Sequence, residues 1–183
     1  VAAYISGSGS SSSGTITTPQ KIGGEFQVSN YAIGDQSNLV ARAAGPSVTN
    51  LANGGFVVTW ATDGPDPPHV ESGIYGQIYG PDGNTVGAEF KINSSGVTDA
   101  NETFVTSFKS GGFIVTWAAS DPNDGAVNGV AGQIFNSSGE KVGTEFQVNT
   151  SITNSQFNPE IAVFSDDEFV VTWQSSHSGS YDV

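Results

Sequence analysis

The sequence predicts an all-β protein built from three four-stranded antiparallel repeats of the β-propeller-blade type. Three observations carry this. First, Gly54-Gly-Phe-Val-Val-Thr-Trp60 returns as Gly111-Gly-Phe-Ile-Val-Thr-Trp117 and as Asp167-Glu-Phe-Val-Val-Thr-Trp173, 57 and 56 residues apart. Second, each copy alternates with period two, Phe56, Val58 and Trp60 on one face and Val57 and Thr59 on the other. Both faces are largely apolar, as in a strand covered on both sides. Third, no stretch sustains a 3.6-residue period. A β-trefoil and a three-sided β-prism are alternative arrangements of the same repeats.

Calling the strands of one repeat a to d, the chain reads c-d, a-b-c-d, a-b-c-d, a-b. The divisions fall at residues 1–46, 47–102, 103–158 and 159–183. Strand a is the least regular, near 47–51, 103–108 and 160–164. Asn53-Gly-Gly and Ser110-Gly-Gly turn it tightly into strand b. Strand c is Gly73-Ile-Tyr-Gly-Gln-Ile-Tyr79 and, 56 residues on, Gly129-Val-Ala-Gly-Gln-Ile-Phe135. Gly80-Pro-Asp-Gly83 and Asn136-Ser-Ser-Gly139 lead to strand d, where Glu89-Phe-Lys-Ile92 and Glu145-Phe-Gln-Val148 match Glu25-Phe-Gln-Val28. Val1-Ala-Ala-Tyr-Ile-Ser6 aligns with Val130 to Phe135. It precedes its Glu-Phe segment by 24 residues, against 15 in both internal copies. The excess of nine is the length of the Ser/Gly run from Ser6 to Gly14, which reads as a loop insertion of flexible composition. After Trp173 the next strand is expected to begin only past Val183, near a virtual position 186.

Composition narrows the functional classes. Five basic against 18 acidic side chains, a net charge of −13, leave no basic footprint for nucleic acid. The absence of cysteine excludes disulfides and thiolate metal sites. No apolar run reaches the length of a membrane-spanning helix, so no membrane insertion is expected. Lys-poor, Ser/Thr/Asn/Gly-rich acidity suits a secreted bacterial protein, extracellular or at the cell surface.

The repeat motifs, from Gly-Gly-Phe-Val-Val-Thr-Trp through Gly-Ile-Tyr-Gly-Gln-Ile-Tyr-Gly-Pro-Asp-Gly to Val-Gly-Ala-Glu-Phe-Lys-Ile-Asn, resemble the tandem repeats of large secreted bacterial and cyanobacterial surface proteins of the calcium-associated, RTX-type or adhesin-like kind. The resemblance covers nearly the whole chain. It implies export without disulfides and a structural or adhesive role.

Candidate chemistry concentrates in the b–c loops. Asp63, Asp66 and Glu71 in one, and Asp121, Asn123 and Asp124 in the next, could offer Ca2+ the oxygen ligands it requires. Gly125 sits fifth and Gly132 twelfth counting from Asp121, which departs from an EF-hand loop. Ordinary turn chemistry accounts for the same residues. Asp166-Asp167-Glu168 reads as a hydrophilic hairpin tip. His69 and His177 lack a neighbouring nucleophile motif and no carboxylate pair stands out, so the sequence reads as that of a protein that is not an enzyme. Trp60, Trp117 and Trp173 suit core packing better than sugar stacking. Tyr31, Tyr75 and Tyr79 are further candidates for glycan contact. Asn93, Asn101, Asn136 and Asn149 lie in glycosylation sequons.

The split repeat suggests a function. An open a-b end and an open c-d end are unpaired edges. Copies of the chain could join head-to-tail, Val1, Ala3, Ile5, Phe26 and Val28 of one completing the sheet of Phe169, Val171 and Trp173 in another, as a fibre or a ring. A secreted self-assembling structural protein is therefore expected. A calcium-assisted, glycan-binding adhesion module and a piece of a longer repeat exoprotein are the alternatives.

Overall fold

The computed structural model describes residues 2–7, 20–28, 45–62, 72–94, 98–120, 129–150, 154–177 and 180–182. Among them the protein is all-β, with thirteen strands in four antiparallel sheets. The first sheet pairs β1 (Ala2–Gly7) with β2 (Gln20–Gln27). The second is the meander β3 (Ser47–Asn50), β4 (Phe56–Thr62), β5 (Gly73–Tyr79) and β6 (Thr85–Lys91). The third repeats it as β7 (Thr98–Ser107), β8 (Phe113–Ser120), β9 (Gly129–Phe135) and β10 (Lys141–Gln147). The fourth holds β11 (Gln156–Val163), β12 (Phe169–His177) and β13 (Ser180–Asp182).

Two strand boundaries differ from the sequence reading. Strands β7 and β11 begin earlier than expected and run across the 102/103 and 158/159 divisions. Each continues through an irregular step, at Glu102 (φ 53°) and Asn158 (φ 51°), where the register with the next strand shifts. A bulge breaks the period-two pattern on which the sequence reading depends. A short strand also stands where the sequence reading expects none before a virtual position 186. Strand β13 already pairs with β12 through Ser175↔Asp182 and His177↔Ser180.

The sheets pack face to face, and strand b supplies both faces. Val57, Ala61, Ile74 and Ile78 of the second sheet pack against Phe113, Val115, Trp117 and Phe135 of the third. On the other side of the third sheet, Ile114 and Ile134 meet Ile161, Phe169 and Val171 of the fourth. Phe26 and Val28, at the end of β2, lie on Phe56, Val58, Trp60, Tyr75 and Tyr79. The Tyr79 hydroxyl donates to the Val28 carbonyl at 3.0 Å. Burial of this phenol, with Glu89 adding to the effect, pushes its pKa up to about 12.

The recurrent motif residues are structural. A Cβ at Gly132 would lie 2.8 Å from the Phe146 ring, and one at Gly76 would lie 3.0 Å from Phe90, so the glycine seats the Phe of the Glu-Phe segment. The buried Gln77 and Gln133 side chains donate to the Val86 and Val142 carbonyls, both at 3.3 Å, beside the d-strand irregularity. Asn93 and Asn149 accept from the Ile74 and Val130 N–H groups at 2.8 and 2.7 Å. Both asparagines are buried, so these two sequons serve the fold and are closed to glycosylation.

Candidate assembly interface

The fourth sheet differs from its predecessors in what covers it. The a–b turns superpose by hydrogen bonding, since Leu51, Phe108 and Phe164 each donate their N–H to the carbonyl four residues on. Leu51 is 3% exposed and Phe108 8%, but Phe164 is 54% exposed. On strand b, Val57 and Ile114 are 0% exposed while Val170 is 43%. Thr59 and Thr116 are fully buried, and Thr172 is exposed. Three positions that the internal repeats bury thus form one open face in the last.

The edge is open as well. Strand β8 pairs with β9 from Phe113↔Phe135 to Ala119↔Gly129. In β12, strand β13 takes only Ser175, Ser176 and His177 on that side. Among the described residues no strand pairs there with Phe169 through Gln174. Phe169 and Val171 themselves are part-buried against the third sheet, and Trp173 borders a cleft of about 360 Å³ with Glu102, Asn158 and Glu160. Trp60 and Trp117 are core residues.

At the other end Ala3 and Ile5 stand in β1, opposite Phe26 and Ile22 of β2. Phe26 is half-buried and Val28 buried against the second sheet. Val1 lies outside the described residues. Among the described strands β1 pairs with β2 alone, so the structure does not bring β1 to β12 within the chain.

The calcium candidates Asp63, Asp66, Glu71, Asp121, Asn123 and Asp124 all lie outside the described residues. Among the described residues no group of three or more His, Asp or Glu could hold a metal.

One acidic residue has a role that its hairpin-tip position did not announce. The Asp167 carboxylate accepts from the Lys109 N–H at 2.7 Å and the Ser110 N–H at 3.1 Å, tying the last a–b turn to the preceding one. Hydrogen bonding from Ser110, with that from Lys109 and the Lys109 charge, holds its pKa below the ordinary aspartate value. Gly54 and Gly111 occupy this position in the other repeats, so the loss of glycine was the available signal. A second link is Glu145, whose Oε2 accepts from the Ser94 N–H at 2.8 Å, across the second and third sheets.

No protein-family model matches the chain, and no curated protein matches it. Among solved structures it is similar to an endo-arabinase from Bacteroides thetaiotaomicron, with 16% identity and a TM-score of 0.49. The match covers 74% of this chain and 52% of that one, so the chain spans about half the enzyme's length.

Proposed function

We propose that the protein is a secreted structural element, without catalytic activity of its own, whose blade-like sheets stack in series and whose last sheet is completed by another copy of the chain. The observation that supports this reading is the open face of Phe164, Val170 and Thr172, formed at positions that both internal repeats bury. Half-exposed Phe and Val side chains each lose on the order of 1 kcal/mol of burial free energy relative to full cover. An open edge strand beside them is a template for pairing. The equivalent faces of β4 and β8 are covered by another sheet of the same repeat, which supports a like surface as the occupant.

The test is solution mass against concentration, by sedimentation and electron microscopy. The full chain is expected to give multiples of 18.8 kDa, and Val170→Asp to shift the population to monomer. A full chain that stays monomeric throughout, or a folded Val170→Asp variant that assembles as well as the parent, refutes the proposal.

A further inference from the structure

Resting on that assembly reading, we infer that a second copy docks its β1–β2 hairpin on β12 in one register, Ala3 opposite Thr172, and latches it by Glu25 on the Thr150 N–H.

The register follows from pairings on the page. In the internal repeats strand c meets strand d through Gly76↔Phe90 and Gly132↔Phe146, and through Ile78↔Val86 and Ile134↔Val142. Strands β1 and β2 pair through Ala3↔Phe26 and Ile5↔Ile22. Both steps match, so the hairpin is a c–d unit in the repeat's own register, and Ala3 is the counterpart of Gly76 and Gly132. Those glycines face strand b through Thr59↔Gly76 and Thr116↔Gly132. The corresponding partner of Ala3 is Thr172, which places residues 2–5 of the incoming copy opposite residues 173–170. Strand β13 occupies residues 175–177, so the two segments share the edge of β12 without overlap.

The latch follows from the same correspondence. Glu25, Glu89 and Glu145 hold one position, as do Ser94 and Thr150. Glu145 of the third sheet accepts from the Ser94 N–H of the second. The hairpin of a docked copy belongs to the fourth sheet, so its Glu25 reaches Thr150 of the third. Glu25 and Thr150 are both exposed, and among the described residues no group accepts from the Thr150 N–H.

Glu168 limits how far the added strand can run. Its counterparts are Gly55 and Gly112, where a Cβ would collide with the Tyr79 and Phe135 carbonyl oxygens at the end of strand c. Glu168 carries that Cβ. The added strand must therefore part from β12 after Ile5, where Phe135 would be matched by Ser6, while Ser6 and Gly7 keep their pairing with Lys21 and Gln20 of β2.

The absence of native cysteine makes the register directly testable. Opposed residues of an antiparallel pair lie within disulfide range, whereas a one-residue offset puts the side chains on opposite faces. Under oxidation the full chain carrying Ala3→Cys with Thr172→Cys is expected to form covalent dimers and higher ladders. Ala3→Cys with Val171→Cys is expected to stay monomeric on a non-reducing gel. Glu25→Ala should weaken association about fivefold by sedimentation, the scale of one net hydrogen bond. If the parent assembles but the offset pair cross-links equally well, or Glu25→Ala assembles with unchanged affinity, the register or the latch is wrong while the assembly reading stands. If the parent does not assemble at all, that reading fails first.

Discussion

A single hydroxyl distinguishes two otherwise equivalent sheet contacts, and it yields opposite outcomes for the same substitution. Thr59 and Thr116 hold the same position on strand b, and both are fully buried. The Thr59 hydroxyl shares a hydrogen bond of 3.1 Å with the Thr103 hydroxyl of the next sheet. The counterpart of Thr103 one repeat later is Pro159, which has no hydroxyl, and the buried Thr116 hydroxyl has no partner among the described residues. Thr59→Val removes the inter-sheet bond and leaves Thr103 without it, at a cost of about 1–2 kcal/mol. Thr116→Val replaces an unsatisfied buried hydroxyl by a methyl of the same shape, a gain of about 1 kcal/mol. Urea denaturation monitored by tryptophan fluorescence measures both, with the midpoint shifting in opposite directions and the slope unchanged. Equal shifts of the same sign would refute the assignment of these hydroxyls, and with it the view that Pro159 leaves the second contact incomplete.

Two further outcomes follow from titrating groups. Because the folded-state pKa of Asp167 is lowered, its tie to Lys109 and Ser110 contributes fully above the ordinary aspartate range near pH 4 and is lost as pH falls below it through the lowered value. Asp167→Asn should therefore flatten the fall of the melting temperature below about pH 4, as read by calorimetry. Tyr79, raised to about 12, contributes fully below the ordinary phenol value near 10 and loses that contribution as pH climbs from 10 towards 12. Absorbance titration should show its late ionisation, and Tyr79→Phe should cost about 1 kcal/mol by releasing the Val28 carbonyl.

Much of this architecture was legible without coordinates. The period-two alternation of Phe56, Val58 and Trp60 and its two returns specify paired strands, because side chains alternate across a sheet. Gly80-Pro-Asp-Gly83 and Asn136-Ser-Ser-Gly139 specify turns, because their backbone preferences are local. The bulges at Glu102 and Asn158 were not legible. Each inserts a residue that neither alternation nor propensity marks, so strands β7 and β11 were read too short.

The proposed assembly interface divides along the same line. Repeat spacing aligns residues 1–6 with strand c of the internal repeats, since matching motifs need only sequence. Which residues stand open is a different kind of fact. Leu51, Phe108 and Phe164 are all apolar at one repeat position, and nothing local to Phe164 says that no sheet lies over it. Asp167 reaches a turn 57 and 58 residues away, and Pro159 deprives Thr116 of a partner from a separate sheet. Strand period and turn chemistry act over a few residues, so the sequence by itself determined them. Burial and hydrogen-bond satisfaction depend on which distant segment arrives, and only the tertiary structure decided those.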